Sequence, residues 1–140
     1  MNAGGREQRP TRGTSRRPHE KIRRMTTHGT TPITNEYMGE MLAQTSTYSL
    51  VLLQAGPNYD APESAPVKFE HGRRNFALRA EGVLAIVCPV TDNTELCGLG
   101  IFNATEAETV AIMDGDPGVQ AEVFTYEVHP VRSFPGDALP

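Results

Sequence analysis

The chain of 140 residues contains no tryptophan, only two cysteines and few aromatic side chains. Two thiols cannot build a disulfide scaffold or a zinc ribbon. No apolar run approaches the ~20 residues that a helix needs to cross a bilayer, so the sequence predicts no membrane span. It also has no apolar segment of a secretory signal, and we expect a cytoplasmic protein. The length leaves room for one domain of ordinary size.

Positive charge is scarce in most of the chain and concentrated at its start. Residues 1–24 carry eight basic and two acidic side chains, whereas residues 25–140 carry five basic and fifteen acidic ones. Because residues 1–34 have almost no aliphatic side chains, we predict a disordered basic tail there. It is a nucleic-acid-binding arm, a solvated tail, or an artefact upstream of a true start at Met25. Without aromatic side chains for base stacking, nucleic acid is the least favoured partner.

The remaining chain, residues 35–140, is predicted to form one domain with a short leading helix at about 33–43. Apolar patterns predict strands at 48–55, 83–90, 95–103 and 121–129, and helices at 67–80 and 105–115. The second helix opens with Thr105 and Glu108 at the spacing of a capping box. In the first helix, we predict that one stripe faces the core, formed by Phe69, Phe76, Ala77 and Ala80.

The order β-α-β-β-α-β is typical of a ferredoxin-like fold, an α+β architecture in which two helices cover one face of a four-stranded antiparallel sheet. Right-handed crossovers give the strand order 4-1-3-2. The unbroken apolar run at 48–55 suits a central strand, and Pro89 suits an edge strand. The other face of the sheet would stay bare and apolar. We therefore expect a homodimer that packs sheet to sheet, although residues 33–43 are an alternative cover.

Chain direction brings two distant polar side chains to one end of this fold. His71 lies in the first turns of one helix, and Asp116 follows the end of the other. A carboxylate beside an imidazole fixes its tautomer and supports the imidazolium, as a general acid–base pair requires. We predict that His71 and Asp116 are catalytic. The structural alternative is that Asp116 and Pro117 only start a short helical turn.

Four further residues are predicted to bind substrate: Arg73, Arg74, Tyr126 and His129. The two arginines follow the predicted catalytic histidine and would hold an anionic molecule. His129 shares a strand face with Glu127, so the two side chains either line a dimer cavity or form a charge pair.

The two cysteines fall on the predicted hairpin. A loop at 91–94 would place Cys88 directly opposite Cys97, at a distance that a disulfide could bridge after a small adjustment. In a reducing cytosol we expect two packed thiols instead. No further ligand cluster accompanies them, so the sequence predicts no metal site.

Four segments together resemble the YCII-related domain family: HGRRNFALRAEG from His71, VLAIVCPV from Val83, GLGIF from Gly98 and DPGV from Asp116. The resemblance covers roughly residues 47–134. It implies a dimeric α+β barrel of ferredoxin-like subunits, with the family's suspected catalytic His and Asp at the two positions already chosen. Some members resemble lyases or dehydrochlorinases that act on small ring compounds without a cofactor.

The expected function is therefore that of a cofactor-independent isomerase or lyase with a small organic substrate. The alternative is a non-catalytic module that binds a small ligand or supports dimerisation.

Overall fold

The computed structural model describes residues 28–140, so the predicted basic tail lies outside the described residues as far as residue 27. Residues 28–38 form a separate unit that contains the start of the first helix, and residues 39–140 form the body. The elements in chain order are α1 (Asn35–Ala43), β1 (Ser46–Ala55), α2 (Ser64–Ala80), β2 (Leu84–Pro89), β3 (Leu96–Phe102), α3 (Glu106–Asp114), α4 (Pro117–Gln120) and β4 (Phe124–Ser133). No helix of this part of the chain is long and apolar enough to cross a bilayer.

The strands of the body form one antiparallel sheet with the order β2-β3-β1-β4. This confirms the predicted α+β, ferredoxin-like fold and its strand order. β1 is central, because it pairs with β3 on one side and with β4 along its whole length on the other. Both prolines within strands lie on the edges, Pro89 in β2 and Pro130 in β4, where a missing N–H breaks no ladder on the outer side. β4 therefore continues through Pro130 to Ser133, beyond its predicted end.

Side chains alternate along the central strand between a buried and a half-buried face. Val51 and Leu53 are buried with Ser49, whose hydroxyl donates to the carbonyl of Ala104 at 3.0 Å. This face of the sheet and the helices together form the core, which consists of Val51, Leu53, Leu78, Leu84, Phe102, Met113, Val123 and Phe124.

Helix α2 differs from its prediction in start and in orientation. It begins at Ser64 rather than at residue 67, because Pro66 falls in the first turn, where an amide has no intrahelical partner to lose. The predicted core stripe is wrong: Phe69 and Phe76 are 67% and 68% exposed. Each lies under an arginine, Arg73 and Arg79 respectively.

The face of α2 that packs on the body is instead partly polar. It carries Ser64, Val67, His71, Asn75 and Leu78, at the spacing of one helical stripe. The prediction failed because it assumed that the inner face of the helix would be the most apolar one. Here the inner face holds the side chains of a polar site.

The hairpin register also differs from its prediction. Cys88 pairs with Leu99, and the amide of Val90 donates to the carbonyl of Cys97, so the two cysteines are not opposite each other. Both are free thiols. The loop is longer than predicted because Asp92 accepts hydrogen bonds from Thr94, which closes a turn inside it.

Candidate active site

Asp116 is held in place by the two helices on either side of it. α3 begins with the predicted capping box, in which Thr105 and Glu108 bond to each other's backbone amides, and it ends at Gly115. Asp116 then caps α4, its Oδ2 accepting from the amides of Gly118 at 2.9 Å and Val119 at 3.2 Å. The structural role considered for Asp116 is therefore present. Asp116 is only 1% exposed to solvent.

The same carboxylate contacts His71, 45 residues earlier in the chain. His71 Nδ1 lies 2.9 Å from both Asp116 Oδ1 and Oδ2. Arg74, one turn further along α2, places its guanidinium 3.7 Å from Oδ1. The chain path therefore brings together the imidazole and the acid that the sequence singled out. Arg74, which the sequence predicted to bind substrate, contacts this acid instead.

The surroundings of Asp116 favour its ionised form. Burial by itself raises the pKa of this carboxyl, but the hydrogen bond and charge of His71 lower it, as do the amides of Val119 and Gly118. The net result is a pKa below the ordinary value of an aspartate. The carboxylate thus accepts the Nδ1–H of His71, and this selects the tautomer whose Nε2 carries a lone pair.

The other ring nitrogen of His71 points toward Asn75 and a cavity. Asn75 Nδ2 lies 3.2 Å from His71 Nε2, one helical turn along α2. The cavity has a volume of about 270 Å³ and lies between α2 and the sheet. Its floor includes Gly98 and Gly100 of β3, which carry no side chains and so leave the space open. A Cβ atom on Gly100 would come within 3.1 Å of Leu84.

An aromatic wall continues from the histidine to the far end of the cavity. The centre of the Phe124 ring lies 4.6 Å from the centre of the His71 ring and 5.9 Å from the centre of the Tyr59 ring. The ammonium of Lys68 sits 3.6 Å from the centre of the Tyr59 ring. Cys97 lies at the same end, where burial raises the pKa of its thiol although Tyr59 and Lys68 oppose the effect.

A second, larger cleft of about 830 Å³ lies beside β2. Its lining includes Tyr48, Phe76, Arg79 and Phe134, and neither His71 nor Asp116 belongs to it. None of the described residues that line it is a histidine or a cysteine. The smaller cavity is therefore the better candidate for acid–base chemistry.

Three of the residues predicted to bind substrate lie away from this cavity. Arg73 is exposed and pairs with Glu70 at 3.3 Å. Tyr126 donates to Asp114 at 2.6 Å, beside α3. His129 is exposed and lies 3.1 Å from Glu127 on the same strand, which is the charge pair considered for it.

Sequence reasoning missed the residues that do line the cavity with the histidine, namely Tyr59, Lys68, Asn75 and Phe124. Lys68 and Asn75 precede and follow His71 by three and four residues, so the stripe of α2 that contains His71 would have found them. Tyr59 lies in a loop, and no local pattern marks it. Among residues 28–140, no three His, Cys, Asp or Glu side chains gather closely enough to hold a metal ion.

No protein-family model matches the sequence, and no curated protein is similar to it. A solved structure with a similar arrangement is the 5-chloro-2-hydroxyhydroquinone dehydrochlorinase of Burkholderia phenoliruptrix AC1100, in complex with 2,5-dihydroxybenzoquinone. The similarity has a TM-score of 0.40 at 18% sequence identity. It covers 58% of this chain and 90% of the dehydrochlorinase.

Proposed function

We propose that this protein is a cofactor-independent acid–base enzyme of the isomerase or lyase type that acts on a small organic molecule. One observation carries the proposal. His71 is bound through Nδ1 to a buried, ionised aspartate, while its Nε2 faces a cavity large enough for a substrate. An imidazole held by a carboxylate at one nitrogen, with the other nitrogen facing the substrate, is the usual form of a general base near neutral pH.

The proton transfers follow from this arrangement. Nε2 of neutral His71 takes a proton from a carbon of the substrate, and the electrons of the broken C–H bond form a double bond to the neighbouring carbon. That carbon gives up a π bond in exchange, whose electrons move to its other partner atom, or it loses its bond to a leaving group, which departs with the electron pair. The imidazolium is stabilised by the Asp116 carboxylate, which lies 2.9 Å away and is almost completely buried. Nε2 then returns the proton to another carbon, as an isomerase requires, or to a departing group, as a lyase requires.

Asn75 would control access to the reactive nitrogen. Its amide nitrogen contacts Nε2 at 3.2 Å, so a substrate has to displace this hydrogen bond before the proton transfer. The displaced amide N–H is then free to bind the substrate. We propose Asn75 as a binding residue in addition to the predicted pair, and Arg74 as a positioning residue for Asp116.

Hydrogen–deuterium exchange tests the proposal without knowledge of the substrate. A panel of small carbon acids is incubated with the protein in D₂O, and the loss of each C–H signal is followed by NMR. We expect the wild-type protein to accelerate exchange of at least one compound, and His71→Gln to lose most of this acceleration, typically 10²-fold or more. His129→Gln is the matched control, because His129 is an exposed histidine outside the cavity. Equal rates for the two variants would contradict the proposal.

A second candidate function is a non-catalytic module that binds a small ligand. The contact between Asn75 and Nε2 favours it, because this contact occupies the nitrogen that a catalyst needs. Ligand binding in the cavity without exchange of any compound in the panel would support this function over the first.

We also propose that two copies of the chain associate through the open face of the sheet. Leu50, Leu52, Leu99 and Ile101 lie on this face and are only half-buried. Glu127 and His129 stand beside them at one edge, so the face offers one acid and one base. A two-fold axis places such a patch against a copy of itself, which lets opposite charges meet.

A further inference from the structure

The cavity that contains the imidazole also carries a positive charge with no ion-pair partner. Of the described residues that line the cavity, Lys68 is the only lysine or arginine, and none is an aspartate or glutamate. No carboxylate of residues 28–140 lies within ion-pair distance of the Lys68 ammonium, which rests on the ring of Tyr59. This is unusual in a body with fourteen acidic and five basic side chains.

The other cations of the body are already engaged. Arg73 pairs with Glu70, Arg74 with Asp116, and Arg132 donates to Thr45 at 2.7 Å. Arg79 lies over the ring of Phe76 on the outer face of α2. Lys68 is thus the cation that lines the cavity of His71, whereas Arg79 lines the larger cleft.

The neighbours of Lys68 stay neutral and can donate hydrogen bonds. The charge of Cys97, burial, a hydrogen bond with Cys97 and the charge of Asp60 all raise the pKa of the Tyr59 hydroxyl, which therefore keeps its proton near neutral pH. Burial likewise raises the pKa of the Cys97 thiol. An incoming anion would meet an ammonium and a hydroxyl in a lining that contains no aspartate or glutamate.

We infer that the cavity takes a small organic carboxylate, whose negative oxygens bind Lys68 and Tyr59 while its proton-yielding carbon faces His71. Lys68 and His71 are three residues apart on one face of α2, so their side chains start about 5–6 Å apart. The carboxylate and the reacting carbon are therefore only a few bonds apart. A cavity volume of about 270 Å³ lies slightly below the ~300–1,000 Å³ of pockets that bind drug-sized molecules, so the ligand is a small one.

This inference rests on the proposed function for the role of His71 and adds the charge class of the substrate. It replaces Arg73 and Arg74, the two arginines expected to hold an anion, with Lys68. Arg73 points away from the cavity, and Arg74 is bound to Asp116.

The test compares benzoate with benzamide, a neutral molecule of nearly the same shape, by calorimetric titration of the full chain. We expect wild-type protein to bind benzoate about tenfold or more tightly than benzamide, the ratio typical of one charge-assisted hydrogen bond. Lys68→Met should abolish this preference, and Lys68→Arg should retain most of it. Arg79→Met removes the cation of the larger cleft, which does not line the cavity of His71, and should leave the preference unchanged.

The inference is overturned if wild-type protein shows no preference for benzoate, or if Lys68→Met and Arg79→Met reduce it equally. Should Lys68→Met not fold, Lys68→Gln is judged by the same criteria. Benzoate binding requires no turnover, so its outcome is separate from that of the exchange experiment. A preference that persists in His71→Gln while exchange is absent from wild-type protein would retain the carboxylate site and reject the enzyme.

Discussion

Asp116 combines two roles at the scale of a single side chain. Its Oδ2 caps α4, and both of its oxygens contact Nδ1 of His71. Because a carboxylate has several lone pairs, it can accept the backbone amides and the imidazole N–H together. The capping bonds therefore hold the acid in the orientation that the imidazole needs, and the structural role supports the proposed catalytic one.

Replacement of the acid by its amide should change stability in a pH-dependent way. The pKa of Asp116 is lowered in the folded protein, so its contribution to stability is present above the unfolded pKa of ~3.9 and is lost as the pH falls below about 4. We expect Asp116→Asn to cost about 1–3 kcal/mol at pH 7 and to flatten the acid limb of the stability curve. Urea unfolding between pH 3 and pH 7 measures both effects, and parallel curves for the two proteins would contradict the prediction.

Tyr126 gives a prediction at alkaline pH. Burial, followed by the hydrogen bond and charge of Asp114, raises the pKa of Tyr126 to about 12. Its contribution to stability is therefore complete below pH ~10 and is lost as the pH rises through about 12. We expect Tyr126→Phe to remove the highest tyrosine transition from an absorbance titration and to cost about 1 kcal/mol or less at pH 7. Tyr37→Phe, at an exposed site, should leave that transition in place.

At the scale of elements, the short helix α4 connects the acid to the aromatic wall. A Cβ atom on Gly118 would come within 2.5 Å of the Phe124 ring and 3.0 Å of Asp116 Oδ2. Phe124 packs on His71, so a displacement of the Phe124 ring would shift the position of the imidazole. The close approach of α4 to β4 thus requires glycine at this position.

Alanine substitutions at two glycines, Gly118 in α4 and Gly72 in α2, should change the stability of the protein in opposite directions. Gly118→Ala overpacks the site, and we expect it to destabilise the protein by about 1–3 kcal/mol and to weaken the contact between His71 and Asp116. Gly72→Ala adds a methyl group within α2 that meets nothing within 4 Å, so it should stabilise the helix by about 0.5–1 kcal/mol. Thermal unfolding measures both effects. A Gly118→Ala protein as stable as wild type would show that α4 can move away from Phe124 at little cost.

The inner face of α2 shows why a polar site can be hidden within a helix. Lys68, His71 and Asn75 lie on the stripe that packs over the sheet, and Phe69 and Phe76 lie outside it. The outer phenylalanines stay about two-thirds exposed, and each has the guanidinium of a nearby arginine over its ring. In such a helix, a row of polar groups faces a cavity at positions where apolar side chains would otherwise contact the sheet.

At the scale of the whole molecule, the open sheet face is the surface through which we propose that two copies associate. We expect the 15.3 kDa chain to sediment as a dimer, and Leu50→Asp to shift it toward monomer by placing a charge in the middle of that face. Phe69→Asp removes an exposed aromatic side chain from the opposite surface of the body and should leave the dimer intact. Analytical ultracentrifugation over a range of concentrations measures the three proteins. A wild-type protein that stays monomeric at high concentration would reject the dimer.

Local patterns were sufficient for much of this architecture. Alternating and continuous apolar runs predict the strands, and the spacing of Thr105 and Glu108 predicts the start of α3. The preference for right-handed crossovers then leaves few ways to connect these elements, and the strand order follows. The same topology brings His71 and Asp116 to one end of the fold, because it determines the direction in which each helix runs.

The remaining features depend on contacts between distant segments. Cys88 pairs with Leu99 because side chains within the loop set its length, and no strand pattern reports that length. The orientation of α2 and the meeting of Lys68 with Tyr59 likewise depend on what the helix packs against. The sequence alone thus determined the elements and their order, since these depend on neighbouring residues. Tertiary packing determined the register, the buried face of α2 and the charge of the cavity, since these depend on residues that only the folded chain brings together.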